Sequence, residues 1–119
     1  MDDPKTFQRL EDAEADEPYP GVRRHAAQGE RATLLRYTFE LNAEFPTHHH
    51  PQEQITLVEY GELEFTLDGE SRRVGQGDVV VVPPDVPHGA RACFGEPASL
   101  IAVLSPRRDV IAAVSVLDK

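Results

Sequence analysis

The chain has 119 residues, 39% of them hydrophobic, and a formal net charge of −9, which allows one compact domain with one core and is too short for two of ordinary size. No apolar run approaches the roughly eighteen residues that span a bilayer, and the N-terminus opens with Met1, Asp2 and Asp3, so a cytoplasmic protein with no membrane partner is expected. The acidity disfavours a nucleic-acid partner, because phosphate binding needs clustered Lys and Arg, and a single cysteine, Cys93, excludes an intrachain disulfide or a thiolate cluster.

Residues 1–29 read as an acidic N-terminal arm, with Asp2, Asp3, Glu11, Asp12, Glu14, Asp16 and Glu17 against Lys5 and Arg9. The simplest expectation is a solvated leader, although Phe7, Leu10 and Tyr19 would let it lie on the rest of the domain or on a partner subunit. Arg23-Arg24-His25 reads as an exposed basic patch. From Glu30 the pattern changes to strands and tight turns. Leu35, Tyr37, Phe39 and Leu41 alternate with polar residues, the period of a half-buried strand. Ile55 to Tyr60 is a second apolar run, ended by Gly61. Leu63, Phe65 and Leu67 alternate with Glu62, Glu64 and Thr66, and Asp68-Gly69 is a two-residue hairpin signal leading into Glu70 to Val74.

Gly75-Gln76-Gly77-Asp78 turns the chain into four consecutive valines, Val79 to Val82, which predict a strand buried on both faces before Pro83-Pro84 stops the pairing. His88 to Phe94 and Leu100 to Leu104 bring the count to about seven or eight strands, suited to a closed barrel or jelly roll. The domain is expected over 30–105. Ser105-Pro106 resembles a helix cap and first turn, and Val110, Ile111, Val114 and Leu117 fall at helical spacing, so a short C-terminal helix or tail is expected over 106–119.

The chemistry is concentrated at His48-His49-His50-Pro51-Gln52-Glu53-Gln54. In an extended segment, residues of equal parity point the same way, so His48, His50, Gln52 and Gln54 share a face that His49 and Glu53 do not. Two imidazoles two residues apart on a strand bind one ion, and a Gln carbonyl is a neutral oxygen ligand of adequate length. His88, at the start of a later strand, is the natural fourth ligand. A histidine triplet is also what a purification tag leaves, but tags sit at termini and this one lies between strands.

The pattern His48-x-His50-x-x-x-Gln54, then six residues and Gly61, resembles the first cupin motif, and Gly77-Asp78, Pro83 and His88 resemble the second. The resemblance covers roughly residues 30 to 108 and the short spacing is that of small single-domain bacterial cupins. It implies an all-β, cupin-type antiparallel barrel or jelly roll, with His48, His50, Gln54 and His88 as ligands of one divalent metal ion (Fe, Mn, Ni or Zn). The chain departs from the pattern in having Gln54 where Glu is usual, Asp85 for Gly and Ala92 for Asn. The first change removes a negative charge, so the ion is held less tightly or stays more Lewis-acidic.

Cupins span many activities, so the reaction has to be argued from the site. Four ligands on a six-coordinate ion leave two positions for a small-molecule ligand, in a barrel expected to be lined by Tyr37, Phe39, Thr56, Val58 and Phe94. The favoured expectation is a metal-dependent enzyme on a small carbonyl, enol or aromatic compound, as a dioxygenase-like enzyme or a Lewis-acid isomerase or cyclase. A non-catalytic metal or small-molecule binding module or sensor is the alternative. A further one is suggested by partial resemblance to small cupins that convert unsaturated uronates to keto forms, which share His-Pro-x-Glu-Gln and a late Asp-x-Phe-Ser-Pro-x-Arg. Here Ser105, Pro106 and Arg108 match, but Ala102 and Leu104 replace the acid and the aromatic, and a step needing that acid cannot run. Arg108 is a candidate anchor for a substrate carboxylate, and Glu53 and Tyr60 are weaker candidates for proton transfer. A homodimer is expected, with the N-terminal arm or the C-terminal segment packed on the partner.

Overall fold

A computed structural model describes residues 6–108, which carry ten strands in two antiparallel sheets. In chain order these are β1 (Ala15–Tyr19), β2 (Val22–Gln28), β3 (Thr33–Phe39), β4 (Glu44–His48), β5 (Glu53–Tyr60), β6 (Glu62–Leu67), β7 (Glu70–Gly75), β8 (Val79–Val82), β9 (His88–Arg91) and β10 (Ala98–Ser105). The larger sheet has the order β1-β2-β3-β10-β5-β8 and the smaller β4-β9-β6-β7. The last strand therefore inserts between β3 and β5, and the chain passes repeatedly from one sheet to the other, as in a jelly roll.

Alternation decides which side chains meet. Leu35, Tyr37 and Phe39 of β3, Val58 of β5, Leu63 and Phe65 of β6, and Leu100, Ala102 and Leu104 of β10 face inward and form one core between the sheets. Burying each of the large ones contributes about 1.5–3 kcal/mol relative to exposure. The Asp68-Gly69 turn joins β6 to β7 with both residues at positive φ, 50° and 83°. This is the conformation a two-residue hairpin of right-handed twist requires.

Two expectations change, and a third falls largely outside the described residues. The acidic arm expected over 1–29 is, from Ala15 to Gln28, a hairpin whose second strand pairs with β3 along its whole length; Val22 and Arg24 are buried inward residues, and the alternation was masked by charge. The valine strand β8 is an edge strand: Val82 is fully buried, but Val79 and Val81 are 57% and 49% exposed, because its outer face has no covering layer. The C-terminal helix falls, from residue 109 onward, outside the described residues; Pro106 to Arg108 are not helical. Instead Arg108 is tied down by its backbone, its N–H donating to Thr33 Oγ1 (2.9 Å) and its carbonyl accepting from Gln28 Nε2 (2.9 Å).

Candidate metal centre

The first motif does not run as one straight strand. His48 ends β4 in the smaller sheet, His50 lies in the bend that follows, and Gln54 is the second residue of β5 in the larger sheet. It is the crossing between sheets, rather than parity along one strand, that brings these side chains together. His88, the first residue of β9, is the direct cross-strand neighbour of His48. The β4–β9 register shifts between Phe45 and His48, and Gly89 makes that close approach possible: a Cβ there would sit 2.8 Å from the Phe45 carbonyl oxygen. The second-motif turn is fastened to the first by the Asp85 N–H, which donates to the His50 carbonyl (2.8 Å). Asp85 has φ of 63°, a left-handed conformation that Asp tolerates and glycine adopts freely.

The nitrogens of His48, His50 and His88 lie within 4.8 Å of one another. Each ring is held by its Nδ1 on a backbone carbonyl: His48 on Pro46 (2.9 Å), His50 on Gln52 (3.1 Å) and His88 on Val86 (2.9 Å). A neutral imidazole that donates from Nδ1 has its lone pair at Nε2, so all three lone pairs are presented to the same space. Gln54 Nε2 donates to Thr56 Oγ1 (2.9 Å), which leaves its Oε1 facing His50 Nε2 at 3.1 Å. Two acceptors at that separation repel unless a cation lies beside them.

The donor set fits a metal ion on an observation of its own. His88 Nε2 is buried with no hydrogen-bond partner, one of only two such side-chain atoms among the described residues; the other, Gln52 Oε1, is in the ligand bend. A buried unpaired acceptor costs about 1–3 kcal/mol, which a ligand on it recovers. Burial, the largest cause, followed by the charge of His88, lowers the His48 pKa to about 3. Burial likewise lowers His88 to about 4, and His50 is lowered chiefly by burial and then by the charge of Arg108. The imidazoles are thus neutral, the form that ligates, throughout the physiological range. His48, Gln54 and His88 line a cavity of about 30 Å³ that is otherwise walled by Tyr37, Phe39, Phe45, Phe65 and Leu100, with Gly89 and Ala90.

Other sequence candidates fall in different places. Arg108 is buried, 9% exposed, and its positive charge disfavours protonation of all three imidazoles and lowers Tyr37. Tyr60 and Glu53 are exposed, outside the cavity. His49 points outward, 3.9 Å from Asp85. Phe94, expected in the lining, lies under the Arg73 guanidinium (4.2 Å to the ring centroid). Ala102 and Leu104 are fully buried on the inner face, opposite Thr56 and Gln54 respectively, so the positions of the missing acid and aromatic do face the interior. Sequence reading missed one buried cluster. Arg24, 3% exposed, donates from Nε and Nη2 to the two carboxylate oxygens of Asp16 (3.0 and 2.7 Å) and from Nη1 to the Tyr37 hydroxyl (3.5 Å). Its signal was the parity of Arg24 with Val22 and Ala26, hidden by the polar neighbours Arg23 and His25.

Two antiparallel sheets closed over three inward histidines positioned to hold a metal ion define a jelly-roll barrel of the metal-site type. The chain belongs to the cupin family: the Cupin_2 family, described as Cupin domain, matches residues 35–104, more than half of its length. An RmlC-like cupin from Shewanella frigidimarina superposes with a TM-score of 0.82 at 28% identity, covering 93% of this chain and 99% of that one. KdgF from a Halomonas species does so with a TM-score of 0.79 at 29% identity, covering 90% and 98%. H2HPP isomerase of Bacillus subtilis is 36% identical over 73 residues, 60% of this chain and 30% of the relative. The matches span about a quarter to a third of the length of the curated relatives. Among the described residues no helix is long and apolar enough to cross a membrane.

Proposed function

We propose that the chain is a metal-dependent enzyme in which one divalent ion, held by His48, His50, Gln54 and His88, acts as a Lewis acid on a small carbonyl or enol compound. The observation that carries this reading is the convergence of four neutral donors, one of them the unpaired buried Nε2 of His88. Neutral ligands leave the ion's double charge uncompensated, which favours polarising a substrate oxygen. The likeness to an isomerase supports this branch over the oxygenase one. Arg108, buried but outside the residues that line the cavity, acts on the site through its charge rather than as a direct contact to substrate. The experiment is proton–deuteron exchange of small 2-oxo acids and diketones, followed by NMR, with zinc-, nickel-, manganese- and iron-loaded protein. Exchange that needs the metal and takes up no dioxygen is expected. Dioxygen consumption by the iron form would move the reading to an oxygenase, and ligand binding with no turnover in any metal form would move it to a binding module.

We also propose a homodimer formed through the outer face of the larger sheet. Leu34, Val103, Ile55 and Val81 form one row across four strands of that face, with Leu57 and Val79 in the next, each at least 36% exposed. A continuous apolar patch is rare on a monomer. The Arg36–Glu59 pair on the same face (3.1 Å) gives each copy one charge of each sign, so a second copy meets it with charges matched across a two-fold axis. Light scattering should report twice the chain mass at micromolar concentration; a monomer there contradicts this face as an interface.

A further inference from the structure

Among the residues that line the cavity, Tyr37 is the one that carries a hydroxyl and the one proton-bearing group outside the ligand set. It sits on β3 with its side chain inward, beside Leu100 of β10 and Arg24 of β2, its cross-strand neighbours. Ala102, the next inward position along β10, offers no proton of its own. Arg24 is locked from one side by Asp16, which takes its Nε and Nη2, and the remaining arm of the fork donates from Nη1 to the phenol oxygen. An oxygen that already accepts from a cation directs its own proton elsewhere. Burial, partly offset by Arg24, raises the Tyr37 pKa, so that proton is retained at neutral pH. The Asp16–Arg24 pair thus stands behind a tyrosine that lines the same cavity as His48, Gln54 and His88.

We propose that Tyr37 donates a hydrogen bond to an anionic oxygen of the substrate, and that Arg24 and Asp16 are positioning residues that hold it for this task. The inference rests on the metal reading above and narrows its substrate class. The cavity of about 30 Å³ admits little more than a few atoms beyond an ion. The matching ligand is a small planar anion with two adjacent oxygens, a 2-oxo acid or its enolate. With an ion held by the four ligands, the ion would polarise the oxygens of such an anion and Tyr37 would donate to one of them. The remaining wall is aromatic and aliphatic and makes no demand on charge.

The probe is acetohydroxamate, a planar bidentate analogue of such an enolate, titrated into zinc-loaded full-length protein by calorimetry. Tyr37→Phe keeps the ring and its edge contact with Phe45 (5.3 Å between centroids) and removes only the hydroxyl. Zinc affinity should stay within about twofold, while acetohydroxamate affinity falls about tenfold to a hundredfold, the range for a hydrogen bond to a charged group. Arg24→Gln should weaken the probe in the wild-type background and have no further effect in the Tyr37→Phe background, an interaction that a purely structural role would not produce. Should Arg24→Gln not fold, Asp16→Asn, which keeps the shape of the pair, takes its place in the cycle. Zinc binding with acetohydroxamate affinity unchanged in Tyr37→Phe, or no probe binding to zinc-loaded wild type, overturns this proposal alone. Failure of the wild type to bind zinc overturns the metal reading with it.

Discussion

Two polar clusters share the inside of this barrel, and they are built on opposite rules. Asp16, Arg24 and Tyr37 close on themselves: the carboxylate takes two N–H bonds and the phenol one. His48, His50, Gln54 and His88 leave their business ends open, with three Nδ1 atoms fixed on backbone carbonyls and the lone pairs turned toward one another. The first is stable as it stands, and removing Asp16 leaves the buried charge of Arg24. The second is costly as it stands, and adding a cation relieves it.

That contrast is sharpest in stability. Arg24→Ala should cost about 3 kcal/mol in urea unfolding, the lower end for a broken buried pair because Asp16 is 27% exposed, and it opens space beside Tyr37; a loss under about 1 kcal/mol would mean the pair is dispensable. Zinc at a hundredfold excess over its dissociation constant should stabilise the wild type by about 2.7 kcal/mol. The same addition should do nothing for His50→Ala, whose apoprotein keeps the fold. Equal zinc stabilisation in the variant would break the comparison.

Acid should separate the clusters next. The unfolded chain protonates its histidines near pH 6.5, whereas His88 in the fold does so only at about 4 and His48 at about 3. Between those limits the unfolded state binds more protons, so apoprotein stability is full above pH 6.5 and declines as the pH falls toward about 4. His88→Ala should flatten that decline by up to about 1.4 kcal/mol per pH unit, measured by urea unfolding across the range. An unchanged slope would show that His88 is not held neutral by the fold. The smallest effect on folding belongs to the outer face. Ile55→Lys should shift stability by no more than about 0.5 kcal/mol, as surface changes do, while converting a dimer to a monomer in light scattering; a dimer that persists would acquit that face.

Much of this was legible in the chain. That His48, His50 and His88 would come together was readable from ligand type, spacing and the resemblance to the cupin motifs, and the Asp68-Gly69 hairpin from turn chemistry. What was not legible came from sheet order, which period-two patterns do not encode. The valines of β8 look doubly buried because nothing in Val79 to Val82 says that the strand lies at an edge. Arg24 looked like a surface charge because its partner, Asp16, lies on a strand whose acidic neighbours disguise it. Tyr60 and Tyr37 are equally aromatic in sequence, and only the fold separates the exposed one from the one lining the cavity.

The central claim is tested most directly by metal analysis of protein purified without a histidine tag, beside its His88→Ala variant, after equilibration with zinc and desalting. The account predicts one ion per chain in the wild type and loss of that ion in a variant that keeps its circular dichroism. An ion retained at full stoichiometry by His88→Ala, or none bound by the wild type, would contradict it.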